Sequence, residues 1–330
     1  MDSSGVTLLL FTAVPGLILT GVLLSALVLR GPTRRRPLAL VLPIRDLAVQ
    51  DEPSGLDVAA DAVRLSVQQL ADTWSGRIDL PVELFVAVES TASVGLDEGP
   101  TLGEALMGTI NHPPGPGEVG VADGLIREAL TGAPTALADL ARKAGDVIRD
   151  RPYGHRSGIT GRAMLAGTGP ALGLPDGVPV VLSPALADAV RADPRSSAPD
   201  DDADALLRAM ADGVRRMEDA VRRIDELAER YRAEADGPGR ERACDLVDLV
   251  RRRPMITVDD VVDAFEVSPR IARRHLRRAV ERGWLFDAGV HGPQPHKQWL
   301  APEIIQAAVD AFDPAVDLRE RVPHLTHASW

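Results

Sequence analysis

The chain reads as a mainly α-helical protein, and three features of its sequence carry that expectation. Aromatic residues make up only 3% of the chain while Ala, Leu, Val, Asp and Arg dominate, so the core has to be built from aliphatic side chains, which favours helices over sheets. Apolar residues recur at three- and four-residue steps over long stretches, the repeat of one helix face. Clusters of Pro and Gly fall between those stretches, where they end one helix and begin the next. With 330 residues, there is room for about two domains once a terminal segment is set aside.

That terminal segment comes first. Residues 3–29 carry no charge, and the run VTLLLFTAVPGLILTGVLLSALVL over residues 6–29 is long enough to cross the hydrocarbon core as a helix. Pro15 and Gly16 interrupt it, which membrane helices tolerate where neighbouring groups satisfy the freed backbone. Asp2 is the sole charge ahead of the run, whereas Arg30, Arg34, Arg35 and Arg36 follow it. The positive-inside rule therefore predicts a single-pass protein of the cell membrane, N-terminus outside and body in the cytoplasm. A cleavable signal peptide would call for a basic leading region and a small-residue cleavage site, and the sequence has neither. Residues 1–36 are thus expected to form a transmembrane anchor with a basic flank, and residues 37–55 a connector.

The soluble body is expected from residue 56. LDVAADAVRLSVQQLADTW has helical apolar spacing, HPPGPGEVG from His112 reads as a loop, and further helical runs centre near Leu125 and Leu137. Residues 167–184 look loop-rich, and residues 191–204 acidic and solvated. Then comes a long amphipathic helix in which Leu207, Met210, Val214, Met217, Val221, Ile224, Ala228 and Tyr231 form one seam. Such a seam can pack within its own chain, the favoured reading, or pair with a second copy as a homodimer. GPGR at Gly237 ends this helix and, with it, a domain spanning residues 56–236.

Residues 240–310 follow a different plan: helix (ACDLVDLV), helix (TVDDVVDAF), short turn, helix over 268–282, then two short strands around a Pro/Gly turn in WLFDAGVHGPQPHKQWL. That order describes a winged helix-turn-helix, with residues 311–330 left as a tail. Ser268 is placed to cap the third helix and Pro269 suits its first position. On that helix Arg270, Arg273, Arg274, Arg277, Arg278 and Arg282 face a single acid, Glu281, while Ile271, Leu276 and Val280 supply the buried side. A helix of this kind can enter a major groove, its arginines on phosphates and guanine edges. Lysine occurs only at Lys143 and Lys297, so Arg is also the default surface cation of this chain. The net charge of −11 argues against polyanion binding by the chain as a whole and confines DNA contact to a local surface.

The stretch RPYGHRSGITGRA from Arg151 resembles the signature HPFxDGNGRxxR of the Fic (Fic/Doc, or Fido) family and aligns with it without a gap. Pro152, the aromatic Tyr153, Gly158 and the terminal Arg162 agree, and Thr160 and Gly161 repeat residues common before that last arginine. Flanking stretches are also similar: LPVELFVAVESTASVGLDEGPTLGEAL before the signature, AMLAGTGPALGLPDGVPVVLSPALA after it, and a terminal winged helix with WLAPEII. The resemblance implies a Fic-like helical domain with a degenerate site. The family's general base falls on Arg151, which cannot accept a proton near neutral pH. The family's metal-holding acid falls on His155, its anion nest on Arg156 and Ser157, and the first phosphate arginine on Ile159. The family's inhibitory helix, Ser/Thr-x-x-x-Glu-Gly/Asn, corresponds to Ser93, Asp97 and Glu98, which implies an Asp97–Arg162 ion pair as a relic.

A positioned general base is worth about 10² to 10⁴ in rate, so its loss, together with the metal ligand and one phosphate arginine, points to a catalytically inactive pseudoenzyme acting by partner or ligand binding. No cofactor is expected; ATP and Mg belong only to a site that still functions. Two alternatives follow: a membrane-tethered DNA-binding transcriptional regulator, and an active protein adenylyltransferase using His155 as a displaced base. The lone cysteine, Cys244, makes no intrachain disulfide and no cysteine-cluster metal site. The remaining histidines show no metal-ligand spacing with acids or cysteine.

Overall fold

The computed structural model describes residues 55–74, 81–98, 137–152, 157–175, 177–192, 202–291 and 296–314. Over these the protein is mainly α-helical with few strands. The expected membrane span at residues 6–29, the connector apart from Gly55, the helical run near Leu125 and most of the tail lie outside the described residues. Among the described residues no helix is long and apolar enough to cross a membrane. The chain divides into two compact units, residues 1–69 with 86–214 and residues 70–85 with 215–330.

The first unit draws on α1 (Gly55–Trp74) up to residue 69, α2 (Val82–Glu98) from residue 86, α3 (Leu137–Asp150), α4 (Ser157–Ala166), α5 (Gly169–Leu172), α6 (Ser183–Ala192) and the first turns of α7 (Ala203–Glu234). Apolar spacing decides which faces turn inward: Ala60, Val63 and Val67 on α1, and Leu137, Leu140, Ala141, Ala144 and Ile148 on α3, are buried. Helix α4 is buried along almost its whole length, and Gly161 sets how near it comes to α3. A Cβ at Gly161 would lie 2.6 Å from Cγ1 of Ile148 and 2.8 Å from the carbonyl oxygen of Ala144.

Residues 167–184, expected as loop, hold the short α5 and then a buried segment without regular secondary structure that contains Val178, Val180, Val181 and Leu182. Its backbone is served in part by Val180 N–H donating to the Ala166 carbonyl at 3.0 Å. Gly213 of α7 lies so close that a Cβ there would stand 1.5 Å from the Val181 carbonyl oxygen. Further along α7, the seam from Leu207 to Tyr231 is buried at every one of its positions, so these side chains are already covered within the chain.

The second unit contains α8 (Arg240–Arg252), β1 (Met255–Thr257), α9 (Val258–Phe265), α10 (Pro269–Glu281), β2 (Phe286–His291), β3 (His296–Leu300) and α11 (Pro302–Phe312). The strands form one antiparallel sheet in the order β1-β3-β2, with Ile256 opposite Trp299 and Phe286 opposite Leu300. Strand β1 was not anticipated from sequence. Its three residues are too few to show a period, and they become a strand only by pairing with β3 more than forty residues later.

Capping fixes the ends of the two central helices. At α9 a capping box operates: the Thr257 hydroxyl accepts from Asp260 N–H, and the Asp260 carboxylate accepts from Thr257 N–H at 2.8 Å. At α10 the expectation of a Ser268 side-chain cap is corrected. Ser268 occupies the cap position, but its hydroxyl makes no cap bond; its carbonyl accepts from Ile271 and Ala272 instead. Residue 268 is exposed, so water can serve the first N–H groups. The buried face of α10 is Ala272, Leu276 and Ala279, with Ile271 and Val280 half-buried at its margins.

The C-terminal end of α7 is tied into this unit. Tyr231 stacks on Trp284 with ring centroids 5.3 Å apart, its hydroxyl donates to Glu303 at 2.6 Å, and the Trp284 indole donates to Glu234 at 2.8 Å. Burial and the neighbouring Glu303 carboxylate push the Tyr231 phenol well above its ordinary range.

Candidate functional site

Two places in the molecule depart from what an aliphatic helical protein needs, and each belongs to its own unit. The first is a set of buried polar side chains around α2 and α4: Glu89, Thr91 and Ser93 with Ser157, Thr160 and Arg162. Burying such groups is costly unless they find partners. Arg162, with no exposed surface, donates through Nε to the Ser93 hydroxyl at 2.9 Å and through a terminal nitrogen to the Ser93 carbonyl at 2.8 Å. Two positions that the family resemblance singles out, 69 residues apart, are therefore in direct contact.

Glu89 stands one turn ahead of Ser93 on α2 and is also buried. Its carboxylate accepts from Leu182 N–H at 2.8 Å, from Ser183 N–H at 2.9 Å and from the Ser183 hydroxyl at 2.5 Å. It thus caps the N-terminus of α6, where orphan backbone donors and the helix dipole favour a negative group. Burial pushes its carboxyl above the ordinary value of 4.5, against the opposing pull of the Ser183 and Leu182 bonds and the Arg162 charge. Sequence reasoning missed Glu89. Its one signal was an acid inside an otherwise apolar and small helix, VELFVAVESTASVGLDE. The hydroxyl of Thr91, close by in sequence, is buried and has no hydrogen-bond partner among the described residues.

The other residues of the Fic-like motif fall as follows. Arg151 is exposed with a positive φ of 50°, a left-handed conformation at the end of α3, and Pro152 follows it, also exposed. Tyr153 and His155 lie outside the described residues. Gly158, Thr160 and Gly161 are buried within α4, as is Arg162. Asp97 and Glu98 close α2; the expected Asp97–Arg162 ion pair lies outside what is described. Among the described residues no group of three or more His, Cys, Asp or Glu is arranged to hold a metal.

The second place is α10. Arg270, Arg273, Arg274, Arg277 and Arg278 are all exposed. Elsewhere in this unit the arginines are mostly spoken for: Arg222 pairs with Asp219 and Glu226, Arg232 with Asp248, Arg251 with Asp225, Arg253 with Asp260 and Arg282 with Asp236. Lys297 of β3 likewise pairs with Asp287 of β2 at 2.5 Å. The guanidiniums of Arg270, Arg273, Arg274, Arg277 and Arg278 make no ion pair among the described residues. Arg282, read from sequence as part of this face, is withdrawn from it by Asp236 at 2.8 Å and by lying over the Trp284 ring.

No model of a known protein family matches this chain, and no curated protein matches it either.

Proposed function

We propose that this chain is a membrane-anchored, catalytically inactive Fic-like protein that acts by binding, and that its binding surface for DNA is the arginine face of α10. The observation that carries this reading is the set of exposed arginines on one helix with no acidic partner among the described residues, where most of the other described arginines are paired. Unneutralised guanidiniums concentrated on one face create a local positive field even on an acidic protein. The order α8, β1, α9, α10, β2, β3 with sheet order β1-β3-β2 supports a winged helix-turn-helix, in which α10 is the helix that enters the major groove. The direct Ser93–Arg162 contact supports the Fic-like reading of the first unit. The uncharged run over residues 6–29 and the arginines behind it support the anchor, which would confine any DNA contact to chromosome near the membrane.

The test is the salt dependence of duplex binding by the purified chain. Five free arginines on phosphates give a slope of log affinity against log salt of about −4.5, a loss of about 500-fold between about 50 and about 200 mM salt. Replacing Arg273→Ala and Arg277→Ala together reduces the slope to about −2.7 and the loss to about 40-fold. Binding that the double variant leaves unchanged would remove α10 as the DNA surface.

A further inference from the structure

We infer that His275 couples protonation to anion binding on the α10 face, so that a polyanion held there is bound more tightly as the pH falls. The inference rests on the reading of α10 as a polyanion-binding surface. His275 is half-buried at the edge between the packed side of α10 and its exposed arginines. The ring meets Phe265 of α9 edge-to-face at 6.2 Å, and Phe265 in turn lies beneath the Arg242 guanidinium of α8 at 6.0 Å.

The charges around the ring are mostly of one sign. Arg274 and Arg278 act on it from its own helix and Arg242 from α8, and Asp245 of α8 opposes them while itself held by Arg242 at 3.2 Å. From α9, the acid Asp260 is tied to Arg253 and to Thr257, and Asp259, Asp263 and Glu266 are exposed. Burial first, then the three arginines, hold the free imidazole below its ordinary value of 6.5. At neutral pH it is the uncharged member of the face.

Phosphates arriving on Arg274 and Arg278 neutralise the charges that keep the proton off His275. Its affinity for a proton therefore rises in the complex, and by linkage the affinity for the polyanion rises with protonation by the same factor. The gain is about tenfold for each unit by which the complex raises the imidazole pKa. It is absent at high pH and accumulates as the pH falls through the bound and then the free value.

The experiment compares duplex affinity of the wild-type chain and a His275→Gln variant over a pH series at fixed salt, with the His275 imidazole followed by NMR in the wild type, free and bound. Expected are a wild-type affinity that climbs relative to the variant as the pH falls, and an imidazole titration displaced upward by the duplex. Parallel pH profiles for the two proteins, or an imidazole titration that the duplex leaves in place, would overturn the inference while α10 stands as the binding surface. No duplex binding at any pH would overturn both. The NMR arm needs no substitution, so a variant that fails to fold does not spare the inference.

Discussion

Replacing Glu89 separates its shape from its charge. In Glu89→Ala the N–H groups of Leu182 and Ser183 and the Ser183 hydroxyl lose their shared acceptor inside the core. Leaving buried donors unpaired costs about 1–3 kcal/mol each before relaxation, and removing one side of a buried charged network about 3–5 kcal/mol in all. Loss on that scale is a large fraction of the stability of an ordinary domain. In Glu89→Gln the amide carbonyl can still accept from both backbone N–H groups, and the amide NH₂ can donate to the Ser183 oxygen, so the expected cost is about 1 kcal/mol or less. The two variants should also differ from wild type in their response to pH. Burial raises the Glu89 carboxyl above 4.5, so the folded state holds that proton more tightly than the unfolded chain does. Its contribution to stability is then fully present below about 4.5 and is lost as the pH rises through the higher folded value. Wild type measured against Glu89→Gln should therefore lose ground from pH 4.5 upward, and the difference should level off once the carboxyl is ionised. Urea unfolding over a pH series, read by far-ultraviolet circular dichroism, measures both effects. A Gln variant as damaged as the Ala variant, or a difference from wild type that is flat with pH, would refute the reasoning.

Gly213→Ala puts a methyl 1.5 Å from the Val181 carbonyl oxygen; backbone must move, and the roughly 1 kcal/mol gained in helix propensity cannot offset overpacking of about 3 kcal/mol. A fall in urea midpoint is expected, and an unchanged midpoint would mean that residues 178–182 do not pass against α7. For the proposed Fic-like reading of the first unit, incubation of the chain with labelled ATP, Mg or Mn and a cell lysate should transfer no label to any protein. An Asp97→Gly variant, meant to release any inhibition, should behave the same way. Label that disappears with His155→Ala would instead make this an adenylyltransferase with a displaced base.

Helices α1, α3, α7, α8, α9 and α10 were legible because helix formation is local: the hydrogen bonds join residues four apart, and the apolar period that buries one face is written into the same stretch of chain; α5, α6 and α11 were not read from it. The buried seam of α7, the core of α3 and the arginine-rich exposure of α10 all follow from that period. Ser93 and Arg162 were reached through resemblance, not through periodicity. Tertiary structure alone decided which polar groups go inside and what they meet there. Glu89 finds its donors 93 and 94 residues away, and β1 exists only because β3 returns beside it. Which arginines are left free was also a tertiary outcome: the sequence offers Arg282 and Arg278 as equals, and the fold brings Asp236 to the first and, among the described residues, no acid to the second. A pairing between distant residues is set by how helices pack, and packing depends on the whole set of buried surfaces rather than on any one stretch of sequence.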